Sequence, residues 1–206
     1  MKVKICGITS YEDAAMSLDA GADALGFNFF PSSPRYVDPW TAKSIIRRLP
    51  PFAVTVGLFV NVADPDDLVR MVLEAGVQVI QLHGDEDPAY CRRLAGYPLI
   101  KALRIGDSQP EQDLARYPVR AFLLDVRDDV LFGGTGKTFD WSLAQGIDRN
   151  RPIILAGGLR ADNVRTAIRT VRPYGIDVCS GVEREPGKKD PVKLTEFMNE
   201  VIDVGS

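Results

Sequence analysis

The sequence predicts an α/β fold, a single (β/α)8 TIM barrel in which residues 1–206 form one domain. Apolar runs recur eight times, at intervals of roughly 20 to 30 residues, as expected for parallel strands buried on both faces. Helical patterns fill the intervals, and no linker or low-complexity segment interrupts them. The length of 206 residues is near the lower limit for this fold. An open, doubly wound sheet is the alternative.

The predicted strands are nearly continuous apolar runs, without the alternation that is typical of strands with one exposed face. They are Val3–Cys6, Ala24–Phe29, Ala53–Val60, Val77–Leu82, Leu99–Leu103, Ala121–Asp125, Ile153–Ala156 and Ile176–Cys179.

The predicted helices begin at short polar signals. Ser10 and Asp13 resemble a capping box at the start of the first helix. Elsewhere an aspartate precedes a proline, which is typical of an N-cap followed by the first helical residue. These pairs are Asp38-Pro39, Asp64-Pro65, Asp87-Pro88 and Asp190-Pro191.

The spacing of apolar residues supports the third and the last of these helices, and a further segment predicts a weaker helix. In the third helix four residues share one face, and Gly76 follows as a candidate C-cap: Leu68, Met71, Val72 and Ala75. The last helix has an apolar stripe of Val192, Phe197, Met198 and Val201. The segment Gln109–Tyr117 predicts a weak helix.

Composition excludes several classes of function. The net charge of −3 argues against a nucleic-acid binder, which needs a basic surface to replace counterions. No apolar run approaches the ~20 residues of a membrane span, and the first residues lack the apolar core of a signal peptide. The three cysteines form neither a C-x-x-C pair nor a zinc pattern. We therefore expect a cytoplasmic protein with free thiols and without a metal, nucleic-acid or membrane partner.

The run "GGTGKT" at residues 133–138 resembles a nucleotide-binding P-loop at first sight. A P-loop has a glycine five residues before its Gly-Lys pair, but this position is Leu131. A long polar stretch also separates the run from the preceding strand. A surface loop and a lid over the mouth of the barrel remain as interpretations.

Catalytic groups of a TIM barrel lie where strands end and loops begin. Cys6 ends the first predicted strand, and Asp125 ends the sixth, where a buried acid would be costly without a partner or a task. The two side chains would enter the barrel mouth from well-separated strands. A thiolate and a carboxylic acid so placed form a plausible proton-transfer pair.

Polar residues stand at other strand ends too: Asn28, Arg35, Asn61, His83, Arg104 and Asp177. The loops after strands seven and eight also contain "LAGGL" and "CSGVE", whose small residues let backbone N–H groups approach an anion. These loops form the usual phosphate site of the fold. Phosphate-binding candidates are therefore Gly157, Gly158, Ser180 and Gly181.

The motifs "KICGIT", "GADALGFNFFPSSPRYV", "VGLFVN", "QLHGDE", "GGTGKTFDW", "LAGGL" and "DVCSGVEREPGKKD" follow one another in this order. Over essentially its full length the chain resembles the phosphoribosylanthranilate isomerases of tryptophan biosynthesis. The resemblance implies a cofactor-free Amadori rearrangement of a phosphosugar. It makes Cys6 the general base and Asp125 the general acid, and "GGTGKT" the strand-six loop that folds over the substrate. We expect the protein to act as a monomer or a homodimer.

The resemblance also implies roles for three further residues. Arg35 would bind the anthranilate carboxylate, His83 would lie near the site, and Asp177 would orient ribose hydroxyls or support the phosphate loop. Cys179 departs from the family, which has a small residue such as serine or alanine there. Because strands one and eight are neighbours in a closed barrel, Cys179 could approach Cys6. The alternatives are the histidine-pathway aldose–ketose isomerase and a nucleotide-binding module.

Overall fold

A computed structural model describes residues 1–105, 114–126 and 150–202 of the chain. Eight parallel strands form a closed barrel in chain order. They are β1 (Lys2–Cys6), β2 (Ala24–Asn28), β3 (Val54–Phe59), β4 (Val79–Leu82), β5 (Leu99–Ile105), β6 (Ala121–Val126), β7 (Ile153–Ala156) and β8 (Gly175–Val178). Because β1 pairs with both β2 and β8, the predicted barrel is confirmed and the open sheet is wrong.

Six α-helices and two short 3-10 helices lie in the described part of the chain. The helices are α1 (Tyr11–Asp19), α2 (Pro39–Ile46), α3 (Pro65–Ala75), α4 (Pro88–Arg93), α5 (Ala161–Val171) and α6 (Pro191–Ile202). The 3-10 turns are Leu114–Arg116 and Ser180–Val182. Two short antiparallel strands follow β8, namely β9 (Glu183–Glu185) and β10 (Lys188–Lys189). None of these helices combines the length and the apolar composition needed to cross a membrane.

The predicted helix starts are confirmed by their hydrogen bonds. Each predicted capping side chain accepts from backbone N–H groups of the first turn: Ser10, Asp38, Asp64, Asp87 and Asp190. Gly76 ends α3 with a φ of 77°, a left-handed conformation that glycine adopts without strain.

One sequence-based detail differs from the structure, and two others lie partly or wholly outside the described residues. Val192 is exposed, so the buried stripe of α6 is made instead by Leu194, Phe197, Met198 and Val201. Of the helix predicted over Gln109–Tyr117, only the 3-10 turn Leu114–Arg116 is seen, because residues 109–113 lie outside the described residues. The run at 133–138 lies outside them as well.

The strands divide the core into two layers. Helix side chains such as Leu68 and Phe197 pack with one set of strand residues in a large cluster around the barrel. A smaller cluster contains strand residues alone, among them Ile100, Ala102 and Leu123. Since strand side chains alternate between the two faces, the second set fills the barrel interior. This interior packing supports the polar groups at the strand ends.

Candidate active site

The carboxyl ends of the strands surround a cavity of about 180 Å³. The predicted site residues that line it are Cys6, Arg35, His83, Asp125, Gly157, Gly158, Asp177 and Ser180. Asn28 lines it too, whereas Asn61 bonds to the loop after β4 and Arg104 lines a neighbouring pocket. The structure thus brings eight predicted site residues to one place.

A larger cavity of about 430 Å³ lies at the opposite end of the barrel. Its lining includes Val54, Val79 and Ile154 and is largely apolar. Size alone would favour this cavity, but TIM barrels carry their catalytic groups at the carboxyl ends of the strands. We therefore assign the candidate site to the smaller, polar cavity.

Cys6 is the last residue of β1 and is buried beside a second thiol and a lysine. A hydrogen bond from Cys179 and the positive charges of Lys4 and Lys189 hold the pKa of Cys6 well below its ordinary value, although burial opposes this. Cys179 has a single proton, which can go to the Cys6 sulfur or to Glu183 Oε1, 3.6 Å from its Sγ. The hydrogen bond to Cys6, together with burial, raises the pKa of Cys179. These opposite shifts favour Cys6 as the thiol of the pair that ionises more readily, and Cys179 lies beside it as predicted.

Lys4 lies two residues before Cys6 and forms a buried ion pair with Asp177. Its Nζ donates to both carboxylate oxygens at 2.9 Å. Burial and the nearby Cys6 thiolate raise the pKa of Asp177 to about 7 against the opposing effect of Lys4. One cation thus compensates two acidic groups. Asp177 lines the cavity, as predicted for a group that contacts the substrate, but both of its oxygens already bond to Lys4.

Asp125 projects from β6 and is bonded to His83, which follows β4. His83 Nε2 lies 3.1 Å from Asp125 Oδ2, and Gln81 Nε2 lies 2.9 Å from His83 Nδ1. When the Gln81 amide donates to Nδ1, His83 carries its proton on Nε2 and donates it to the carboxylate. The sequence indicated His83 near the site, and the structure shows it oriented by Gln81 and touching Asp125.

Arg35 follows β2 and forms a forked ion pair with Glu183 on β9. Its Nε lies 3.0 Å from both carboxylate oxygens of Glu183, and its Nη2 lies 2.7 Å from Oε2. Glu183 is buried and also accepts from Lys189 Nζ at 3.0 Å and from the Gly187 N–H. The guanidinium is therefore held in one orientation at the edge of the cavity.

The turn after β7 has two successive glycines in the left-handed region. Gly157 has a φ of 90° and Gly158 a φ of 60°, and a Cβ on Gly158 would meet no atom within 4 Å. Helix α5 begins three residues later. After β8, a Cβ on Gly181 would collide with the carbonyl oxygen of Leu159. Gly181 therefore lets the two loops approach closely, although it does not line the cavity.

Three residues of this site were not predicted from the sequence: Lys4, Gln81 and Glu183. Lys4 and Gln81 interrupt the apolar runs "VKIC" and "VIQL" two residues before Cys6 and His83. A polar side chain in a strand buried on both faces is costly without a partner, and this signal was available. Nothing in the sequence indicates that Glu183 meets Arg35. Within the described residues, no group of three or more His, Cys, Asp or Glu side chains is arranged to hold a metal ion.

A thiolate and a carboxyl–imidazole pair that share one cavity are suited to moving protons, and they lie where barrel enzymes carry their chemistry. The fold and the polar cavity at the strand ends therefore indicate a (β/α)8 enzyme. A sequence model of the family described as N-(5'phosphoribosyl)anthranilate (PRA) isomerase matches residues 3–200. The chain belongs to this family, and it is an isomerase of tryptophan biosynthesis.

Individual relatives agree with this assignment. The N-(5'-phosphoribosyl)anthranilate isomerase of Pelobacter propionicus is 52% identical over 199 residues, which cover 96% of this chain and 94% of the relative. The crystal structure of the phosphoribosyl anthranilate isomerase of Thermus thermophilus superposes with a TM-score of 0.88 at 37% identity, covering 99% and 100% of the two chains.

Two further solved structures bear on ligand and assembly. One is a phosphoribosyl anthranilate isomerase in complex with reduced 1-(o-carboxyphenylamino)-1-deoxyribulose 5-phosphate, with a TM-score of 0.85, 40% identity and coverage of 98% and 99%. The other contains monomers generated from the dimeric enzyme of Thermotoga maritima, with a TM-score of 0.83, 38% identity and coverage of 98% and 98%.

Proposed function

We propose that the chain converts N-(5-phosphoribosyl)anthranilate to 1-(2-carboxyphenylamino)-1-deoxyribulose 5-phosphate by an Amadori rearrangement, with Asp125 as general acid and Cys6 as general base. The observation that carries the proposal is that a thiolate and a carboxyl bonded to imidazole line the same cavity at the carboxyl ends of the strands. The solved relative that binds a reduced form of this product supports the same substrate class.

Asp125 acts first, by giving its proton to the ribose ring oxygen. The ring then opens to an iminium ion between C1 and the anthranilate nitrogen. Before this transfer, the carboxyl proton of Asp125 can form a hydrogen bond to His83 Nε2, provided that the imidazole carries its own proton on Nδ1. Turning the Gln81 amide by 180° would then place Gln81 Oε1 to accept a hydrogen bond from His83 Nδ1. This Oε1 has no partner in its present orientation among the described residues.

Cys6 acts second, when its thiolate removes the proton from C2 of the iminium ion. The electrons of the broken C–H bond move toward the nitrogen and give an enolamine. This intermediate gains a proton at C1 and loses one from the C2 hydroxyl to become the ketone. Because the pKa of Cys6 is lowered, the thiolate persists to lower pH than an ordinary cysteine would allow, and the base is lost as the pH falls through the folded-state pKa. The substrate's own nitrogen is the electron sink, so we propose no cofactor.

Further residues of the cavity bind the two ends of the substrate. Arg35 has no hydrogen-bond partner for Nη1 among the described residues, so this nitrogen can meet the anthranilate carboxylate. Asp177 lines the cavity, where it would contact a ribose hydroxyl or support the phosphate loop. The phosphate would bind to backbone N–H groups of the turns after β7 and β8, at Gly157, Gly158, Ser180 and Gly181.

The purified protein tests this function directly. We expect it to consume phosphoribosylanthranilate with a change in anthranilate fluorescence, without added metal or cofactor. The substrate of the histidine-pathway aldose–ketose isomerase lacks the aromatic carboxylate and serves as the specificity control. Faster turnover of that substrate than of phosphoribosylanthranilate would refute the proposed function.

Replacing Arg35 by lysine is expected to raise KM about ten- to a hundredfold and to change kcat little. The fork that fits both Glu183 and a carboxylate is lost, and a hydrogen bond to a charged group contributes about 1.5 to 3 kcal/mol. The matched control is Arg104→Lys, because Arg104 is exposed beside the cavity without lining it. A large fall in kcat at unchanged KM would place Arg35 in the chemical step instead.

The remaining proposals rest on sequence and relatives. We propose a cytoplasmic, single-domain protein over residues 1–206, acting as a monomer or a homodimer. Sedimentation or light scattering of the purified chain would distinguish these two states.

A further inference from the structure

We propose that Lys4 is a positioning residue for the isomerase reaction: it is the buried cation against which the Cys6 sulfur is held and ionised, and Asp177 fixes its place. This inference rests on the proposed role of Cys6 as the general base. Lys4 touches Cys6 and Asp177 from within the barrel, so it acts through Cys6.

Strand geometry places the two side chains together. Lys4 and Cys6 are two residues apart on β1, so both point into the barrel interior. On the neighbouring strand β2, the residue paired with Cys6 is Gly26, so β2 places no side chain next to the Cys6 sulfur. A Cβ on Gly26 would lie 2.8 Å from Cys6 Sγ and 2.9 Å from Lys4 Nζ. The sulfur and the ammonium therefore share the space that glycine leaves open.

Asp177 holds the ammonium there. It is the register partner of Lys4 on β8, and both of its oxygens accept from Nζ. Lysine has a flexible stem that loses conformational freedom when it is ordered. A two-oxygen contact within a closed barrel removes that freedom before the substrate binds. Lys4 is 5% exposed, and water therefore screens its charge little.

Other charged and titratable groups also face Cys6, but most have other partners. These groups are Asp177 on β8, Cys179 after it, Glu183 on β9, Lys189 on β10, Arg35 after β2, and His83 and Asp125 across the cavity. Lys189 Nζ donates to the Cys6 carbonyl oxygen and to Glu183, and Arg35 is paired with Glu183. Lys4 is the cation that faces the sulfur from its own strand, and its acidic partner Asp177 is partly neutralised near pH 7.

The charge on Lys4 has a chemical consequence for Cys6. A buried thiol resists ionisation, and an opposite charge within about 4 to 6 Å offsets this resistance. Without Lys4, the Cys179 hydrogen bond and the charge of Lys189 would have to stabilise the thiolate beside the Asp177 carboxylate. We therefore expect the ionisation of Cys6 to move to higher pH when the charge is removed.

The test measures the rate at which iodoacetamide alkylates Cys6 as a function of pH, in the free enzyme, on the peptide that contains Cys6. We expect the midpoint of this curve to rise by about one to three pH units in Lys4→Met and by much less in Lys4→Arg, which keeps the charge. Lys2→Met is the matched control. It removes the same charge from the same strand, but Lys2 is exposed and paired with Asp23, so its curve should coincide with that of the parent protein.

Turnover provides a second measurement. In Lys4→Met, kcat/KM at pH 7 should fall about ten- to a hundredfold and should recover as the pH rises through the new alkylation midpoint. A merely structural role would lower activity equally at every pH. If the alkylation midpoint moves but the fall of kcat/KM at low pH does not move with it, then Lys4 still promotes ionisation of Cys6. In that case the proposed role of Cys6 as the general base is refuted instead.

Lys4→Met leaves the Asp177 carboxylate buried without its cation, which could prevent folding. The double variant Lys4→Met/Asp177→Asn removes both charges and is compared with Asp177→Asn alone. The proposal predicts a higher alkylation midpoint in the double variant than in Asp177→Asn. Equal midpoints in this comparison, or an unchanged midpoint in a folded Lys4→Met protein, would overturn it.

Discussion

Replacing Cys6 by alanine is expected to lower kcat for isomerisation by about 10²- to 10⁴-fold, with KM nearly unchanged. The substituted side chain would no longer remove the C2 proton, whereas Arg35 and the glycine turns that bind the substrate remain. Measuring kcat and KM by anthranilate fluorescence separates the two effects. Cys6 lines the cavity, and the Cys179 hydrogen bond and the charges of Lys4 and Lys189 lower its pKa.

Two further variants define what the alanine result means. Cys6→Ser keeps the size of the side chain, but an aliphatic hydroxyl stays protonated at neutral pH, so its loss should nearly equal that of Cys6→Ala. Cys91→Ala makes the same chemical change on α4, where the buried thiol has its pKa raised to about 11 by desolvation. This control should keep full activity. Near-normal kcat in Cys6→Ala would remove the thiolate from the reaction.

Replacing Asp125 by asparagine is expected to reduce kcat by a similar factor, about 10²- to 10⁴-fold. Asparagine has the same shape, and its Oδ1 can still accept a hydrogen bond from His83 Nε2. It has no acidic proton for the ribose ring oxygen, so the ring would not open at a useful rate. The fold and the KM should therefore change little, which can be checked by circular dichroism and steady-state kinetics.

Asp85→Asn is the matched control for this variant. Asp85 lies in the loop after β4 at the same end of the barrel, but it is exposed and does not line the cavity. Its replacement removes an equal charge and should leave kcat unaltered. Equal losses in Asp85→Asn and Asp125→Asn would indicate a general electrostatic effect and would contradict the role of Asp125 as the acid.

The fold could be predicted because its signals are local. Continuous apolar runs mark strands that are covered on both faces, and an aspartate before proline marks a helix start. Asp38, Asp64 and Asp87 cap their helices as expected, since a cap depends on atoms within one turn. Val192 was wrongly assigned to the buried stripe, because helical spacing alone does not determine whether a residue at the edge of an apolar stripe faces the barrel or the solvent.

The candidate site could be predicted in part for the same reason. Cys6, His83 and Asp125 follow apolar runs, and the fold alone gathers strand ends at one mouth. The long-range ion pairs of the site could not be predicted, because their members come from distant parts of the chain. Arg35 and Glu183 are 148 residues apart, and Lys4 and Asp177 are 173 apart, so nothing in local spacing relates them.

The sequence by itself determined the eightfold alternation of strands and helices and the end of the barrel at which reactive groups gather. Only the tertiary structure decided the electrostatic environment of those groups: which thiol ionises more readily, which carboxyl bonds to imidazole, and which lysines lie beside them. Periodicity and caps depend on neighbours within a few residues. Ionisation depends on burial and on charges a few ångströms away, and closure of the barrel brings these together from both ends of the chain.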